Sequence, residues 1–129
     1  MDKKILIIED DSDLRQVLKI MLAKEGLSVV EAGDGKQGMN LFARDLYDLV
    51  ITDIIMPEKE GIETIFELKK LNPDVKIIAI SGGGKIAADE YLGMARNFGV
   101  NKVLSKPFKR DVFIESVKDV LGIGWSQQI

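Results

Sequence analysis

Four apolar runs in this chain end in polar residues that could do chemistry. Ile5-Leu6-Ile7-Ile8 ends in Glu9-Asp10-Asp11, and Leu49-Val50-Ile51-Thr52 ends in Asp53. Val75 to Ile80 ends in Ser81, and Val100 to Leu104 in Ser105-Lys106. Carboxylates crowded together repel one another and destabilise a fold. A hard divalent cation resolves the conflict, because Mg²⁺ favours oxygen ligands, needs only a few carboxylates and keeps several waters. A lysine adds a mobile positive charge and a serine a hydroxyl donor. Metal, ammonium and hydroxyl are the parts that hold the peripheral oxygens of a phosphoryl group. In such a site Asp53 is the nucleophile, attacking phosphorus in line to give an acyl phosphate. Alone, Asp53 would read as a cap or turn residue; the other three strand ends change that reading.

The elements must bring these ends together. Ile5 to Ile8 is a continuous apolar run, as in a central parallel strand covered on both faces. Leu14, Val17, Leu18, Met21 and Leu22 recur at helical spacing, and Gly26 closes that helix. Leu27 to Ala32 is a second strand, Gly33-Asp34-Gly35 a turn, and Gly38, Leu41 and Phe42 one face of a second helix ending near Arg44-Asp45. The strand from Leu49 stops at Asp53, and Pro57 with the polar turn Glu58 to Gly61 follows. Ile62, Ile65, Phe66, Leu68 and Leu71 predict a third helix, stopped by Asn72-Pro73-Asp74. After the strand from Val75 to Ile80, a fourth helix is expected over residues 85–97. The strand from Val100 to Leu104 carries Asn101 and Lys102, as an edge strand should. Phe113, Ile114, Val117, Val120 and Leu121 mark the last helix.

Strict alternation of five strands and five helices calls for an α/β fold, a doubly wound parallel sheet with helices on both faces. The flavodoxin-like order 2-1-3-4-5 sets strands one and three side by side, with a ligand crevice between their carboxyl ends. Glu9, Asp10 and Asp53 then converge on one point, with Ser81 and Lys106 on its far side. The 129 residues predict a single domain, core 3–122 and tail 123–129, large enough to bury a real core.

Composition narrows the function. Apolar residues make up 46% and charged residues 30%, the balance of a globular chain. A net charge of -3 gives nonspecific nucleic-acid binding no electrostatic support. Without cysteine or histidine there is no disulfide scaffold, thiolate site, imidazole ligand or phosphohistidine on this chain. No signal peptide is expected, and no apolar run approaches the ~20 residues of a membrane span. A cytoplasmic location without membrane insertion is the simplest expectation.

Across nearly its whole length the sequence resembles the response-regulator receiver domain of bacterial two-component phosphorelay signalling. The matching segments are Ile5 to Asp11, Asp48 to Gly61 with Asp53-Ile54-Ile55-Met56-Pro57, Ile80-Ser81-Gly82, and Lys106-Pro107-Phe108. Each motif is weak alone; all four in order are highly specific. The resemblance implies that Asp53 is the phospho-acceptor of a Mg²⁺-dependent reaction, with Mn²⁺ as a possible substitute. It implies Glu9 and Asp10 as the acidic pair around the metal, and the backbone carbonyl of Ile55 as a further ligand. Ser81 would be the hydroxyl that moves toward the phosphoryl group and Lys106 its counter-ion, with a cis peptide at Lys106-Pro107. The donor would be a sensor histidine kinase or a histidine phosphotransfer protein, and output would run through contacts with a downstream protein, not directly through nucleic acid. Beyond this self-phosphorylation and slow self-dephosphorylation, no enzyme is implied.

Other readings stand beside this one. Asp11 reads as a helix cap, and a water-mediated role suits Glu9 as well as direct ligation. Gly82-Gly83-Gly84-Lys85 lacks the earlier glycine and the Ser/Thr of a P-loop. An aspartate-nucleophile phosphatase needs a second acid where Ile55 stands, and a flavin or nucleotide module would meet repulsion from Glu9-Asp10-Asp11. A receiver-like interaction module that is never phosphorylated, and the receiver part of a longer regulator, are the alternatives. Met56 reads as packing and Trp125 as a tail residue covering an apolar edge. Where many receivers carry Tyr or Phe, three residues before the lysine, this chain has Val103. That predicts a muted response on the face formed by the last two helices and the fifth strand. Neither Ile55 nor Gly83 can orient a water with its side chain, which predicts slow loss of the acyl phosphate.

Overall fold

The apolar runs become the strands of one parallel sheet, because each can be buried only with helices on both sides of it. A computed structural model describes residues 3–54, 60–81, 93 and 97–123. The strands are β1 (Lys4–Ile8), β2 (Ser28–Ala32), β3 (Leu49–Asp53), β4 (Ile77–Ser81) and β5 (Lys102–Ser105). Their order is β2-β1-β3-β4-β5, the expected flavodoxin-like arrangement. The helices bounded among the described residues are α1 (Ser12–Lys24), α2 (Gly35–Arg44), α3 (Glu60–Leu71) and α4 (Arg110–Leu121). The helix expected over residues 85–97 lies mostly outside the described residues; Gly93, Asn97 and Phe98 are helical.

Alternation along the strands divides the core in two. Ile5, Ile7, Leu49, Ile51, Ile78 and Ile80 face α1 and α4, where they meet Leu18, Leu22, Phe113 and Val117. Leu6, Ile8, Val50, Ile77 and Ala79 face α2 and α3, where they meet Phe42, Ile65 and Leu68. Ile65 and Leu68 turn inward on α3, whereas Phe66 and Leu71, read as part of the same apolar set, are exposed. Phe66 instead meets Phe98 edge-on, with ring centroids 5.2 Å apart. Val17 of α1 is likewise exposed.

Strands β4 and β5 each start two residues later than the apolar runs suggest, for a local reason, and β2 starts one later, at Ser28. The Val75 N–H closes a turn onto the Asn72 carbonyl, and its own carbonyl accepts from Lys69 Nζ at 3.0 Å. Val75 is thus held by the end of α3, and β4 begins at Ile77. Asn101 bridges to Ile77 by backbone N–H and side-chain oxygen (2.8 and 2.9 Å) ahead of the β5 ladder.

The termini place the strand ends. Asp11 caps α1, accepting from the N–H groups of Asp13 and Leu14, as its position after the acidic pair suggested. Gly26 (φ +80°) follows the end of that helix. Gly122 closes α4 in the left-handed region.

Candidate functional site

Register sets the site. Ile8 pairs with Thr52, so Glu9 emerges beside Asp53 at the adjoining ends of β1 and β3. Asp53 pairs with Ile80 and Ser81 with Ser105, which brings the ends of β4 and β5 to the same rim. The Ser81 carbonyl then accepts from the Lys106 N–H at 2.8 Å, and the Lys106-Pro107 peptide is cis.

A carboxylate oxygen from each of Glu9, Asp10 and Asp53 lies within 4.8 Å of the others. Glu9 and Asp53 are almost wholly buried, whereas Asp10 is exposed. Lys106 Nζ donates to Asp53 Oδ2 at 2.8 Å and stands 3.2 Å from Glu9 Oε1. The Glu9 contact is an ion pair without hydrogen-bond alignment, so Oε1 is a buried oxygen lacking a hydrogen-bond partner among the described residues. Glu9 Oε2 accepts from the Asp11 N–H at 3.1 Å. Ser81 Oγ is fully buried and also lacks a partner among the described residues, an arrangement that costs ~1–3 kcal/mol.

Three carboxylates around one ammonium leave negative charge unbalanced. Burial, followed by repulsion from Asp53, pushes the Glu9 carboxyl up to about 7, against the opposing pull of the Asp11 N–H and Lys106. Burial alone would lower the Lys106 ammonium, but its hydrogen bond to Asp53 and the charges of Asp53 and Glu9 outweigh that and raise it. The donor set is all oxygen, with a charged buried wall and one exposed member. It suits a hard divalent cation that keeps part of its water.

Glu9, Asp10, Asp53 and Lys106 are thus brought together as the strand ends suggested, and Ser81 lies at the same rim. Ile55, Met56, Pro57, Gly82 to Lys85 and Trp125 lie outside the described residues. Val103 is half-buried and packs on the core beneath α2 and α3. One residue of the site went unread: Arg15 Nη1 donates to the Glu9 carbonyl at 2.6 Å. The available signal was a cation close to a helix N-terminus, a place where the helix dipole disfavours it.

The model of the response regulator receiver domain matches residues 5–118. The chain belongs to that family. As a receiver it is 34% identical over 119 residues to the response regulator receiver protein CpdR of Brucella abortus, covering 92% of this chain and 97% of CpdR. It is also 34% identical over 126 residues to the transcriptional regulatory protein CpxR of Klebsiella pneumoniae, covering 97% of this chain and 52% of CpxR. This receiver thus spans about half the length of that relative. Among solved structures, the response regulator TrrA of Thermotoga maritima in complex with Mg²⁺-BeF is 32% identical, with a TM-score of 0.77 over 92% of this chain and 98% of that one. Among the described residues no helix is long and apolar enough to cross a membrane.

Proposed function

We propose that this receiver accepts a phosphoryl group on Asp53 from a phosphohistidine of a sensor kinase or phosphotransfer protein, and signals through protein contacts. The observation that carries the proposal is the convergence of Glu9, Asp10 and Asp53 with the Lys106 ammonium on Asp53 Oδ2. Glu9, Asp10 and Asp53, with the backbone carbonyl of Ile55, are the residues that would hold Mg²⁺. When bound, Mg²⁺ supplies positive charge for the carboxylates and the phosphoryl oxygens. TrrA, 32% identical, was solved with Mg²⁺ and a beryllium fluoride.

In the transfer an Asp53 carboxylate oxygen bonds to phosphorus as the donor P–N bond breaks, and the imidazole leaves with that electron pair. Lys106 exchanges its contact with the carboxylate for one with a phosphoryl oxygen. Ser81, whose hydroxyl has no partner to give up among the described residues, donates to another. The added charge of roughly -1.5 to -2 then biases the loops at this rim. A cavity of about 340 Å³ adjoins the site, lined by Asp11, Leu14, Val17, Met21 and Lys106 to Phe108. It offers a mixed polar and apolar floor for a donor protein. The match to half of CpxR supports a second reading, in which this receiver works within a longer regulator.

The test is to expose the chain to acetyl phosphate and Mg²⁺, trap the product with borohydride and map the modified peptide. Reduction confined to Asp53 is expected; modification at serine or at another carboxylate would reject the assignment.

A further inference from the structure

We propose that Arg15 is a positioning residue for the acidic pair, holding the Glu9–Asp10 peptide from outside the pocket and so setting the affinity for the cation. The inference rests on the reading of the pocket as a Mg²⁺ site. Arg15 lies one turn into α1, where its N–H donates to the Asp11 carbonyl at 2.9 Å. A cation so near a helix N-terminus opposes the helix dipole, so its contacts must compensate. Helical side chains lean toward the N-terminus, which carries this guanidinium back over the acidic loop.

There the guanidinium is fixed at two ends. Nη1 donates to the Glu9 carbonyl at 2.6 Å, and Nε donates to Glu31 Oε1 on β2 at 3.3 Å. Glu31 is itself held by Lys19 at 3.1 Å. Other groups of Glu9 are tied elsewhere: its N–H donates to the Ala32 carbonyl at 3.0 Å, Oε2 accepts from the Asp11 N–H, and Oε1 faces the Lys106 ammonium. Arg15 therefore fixes the oxygen of the peptide that joins Glu9 to Asp10. Asp10 is exposed, so packing does not direct its side chain. If that peptide turns, the Asp10 carboxylate swings away from Glu9 and Asp53. A planar fork that reaches a carbonyl and a carboxylate together is a task for arginine and not for lysine.

The sign of the effect separates positioning from simple charge. Arg15 is a cation beside a cation site, so by electrostatics alone its removal would tighten Mg²⁺ binding. Positioning predicts the reverse. Mg²⁺ titration of the full chain by calorimetry, well below each variant's melting temperature, should show Arg15→Met binding about tenfold more weakly than wild type. Arg15→Lys keeps the charge but cannot span both partners, and should lose about threefold. It also carries the test if Arg15→Met does not fold. Undiminished or tighter binding in a folded variant would overturn the inference alone. A wild-type chain that binds no Mg²⁺ would overturn the metal site, and this inference with it.

Discussion

Gly38 of α2 sits directly against Ile8, the last residue of β1 before Glu9, and the contact leaves no room for a side chain. A Cβ at position 38 would lie 2.5 Å from Ile8 Cδ1, 2.7 Å from Cγ1 and 3.4 Å from Cγ2. Carbon atoms normally approach to ~3.5–4.0 Å, so an alanine overlaps Ile8 by roughly 1 Å. Ile8 is completely buried between β2, β3 and the helix, and cannot simply swing aside. Either α2 lifts from the sheet or Ile8 leaves its rotamer; overpacking of this kind costs ~1–3 kcal/mol. Against it stands the ~1 kcal/mol that a helix gains when glycine becomes alanine. With ~2 kcal/mol of overpacking, Gly38→Ala should be ~1 kcal/mol less stable than wild type.

Urea unfolding at constant slope measures the change directly. Gly93, also helical, has no atom of the described residues within 4 Å of its added Cβ, so Gly93→Ala should stabilise instead. Ile8→Val removes the nearest methyl group, and in the double variant Gly38→Ala/Ile8→Val the loss should be less than the sum of the two singles by more than ~0.5 kcal/mol. A Gly38→Ala protein more stable by ~1 kcal/mol, the value for an uncrowded helix glycine, would refute the contact.

Three further outcomes follow from the site. Lys106→Met removes an ammonium 2.8 Å from Asp53 and 3.2 Å from Glu9. The direct interaction is ~5–6 kcal/mol at these distances and an effective dielectric of ~20, and one quarter of the lysine is exposed, so Mg²⁺ should bind about tenfold tighter by calorimetry. Unchanged affinity would place Lys106 outside the cation's field. The Glu9 carboxyl, raised from 4.5 to about 7, holds a proton in the folded chain that the unfolded chain releases. In metal-free buffer stability should therefore fall as pH rises from 4.5 to about 7, by at most ~1.4 kcal/mol per pH unit. Denaturant titrations should lose that slope in Glu9→Gln; the same slope in the variant would assign it to another group. With Val103 in place of an aromatic ring, beryllofluoride should leave amide resonances of β5 and α4 nearly unshifted, and large shifts there would contradict this.

The strand ends were legible because a buried parallel strand must be apolar until it leaves the sheet. Glu9, Asp53, Ser81 and Lys106 stand where four apolar runs stop, and a sheet order with β1 beside β3 brings the first two together. Helix faces were less legible. Phe66 and Leu71 fit the apolar spacing of α3 but are exposed, since a period of 3.6 residues tolerates an apolar residue on either flank of the buried stripe. Val75 and Val100 look like strand residues, yet a lysine on one side and an asparagine on the other move the start of pairing. Arg15 was only faintly legible, as a cation near a helix N-terminus, for a different reason. Its role depends on Glu31, sixteen residues away on another element, and no local pattern reports such a contact.

Intact mass after incubation with acetyl phosphate and Mg²⁺, beside an EDTA control and Asp53→Asn, tests the central claim most directly. A single phosphoryl increment that needs Mg²⁺ and vanishes in the variant is the predicted result. No increment in a folded chain that binds Mg²⁺, or an increment that persists in Asp53→Asn, would contradict it.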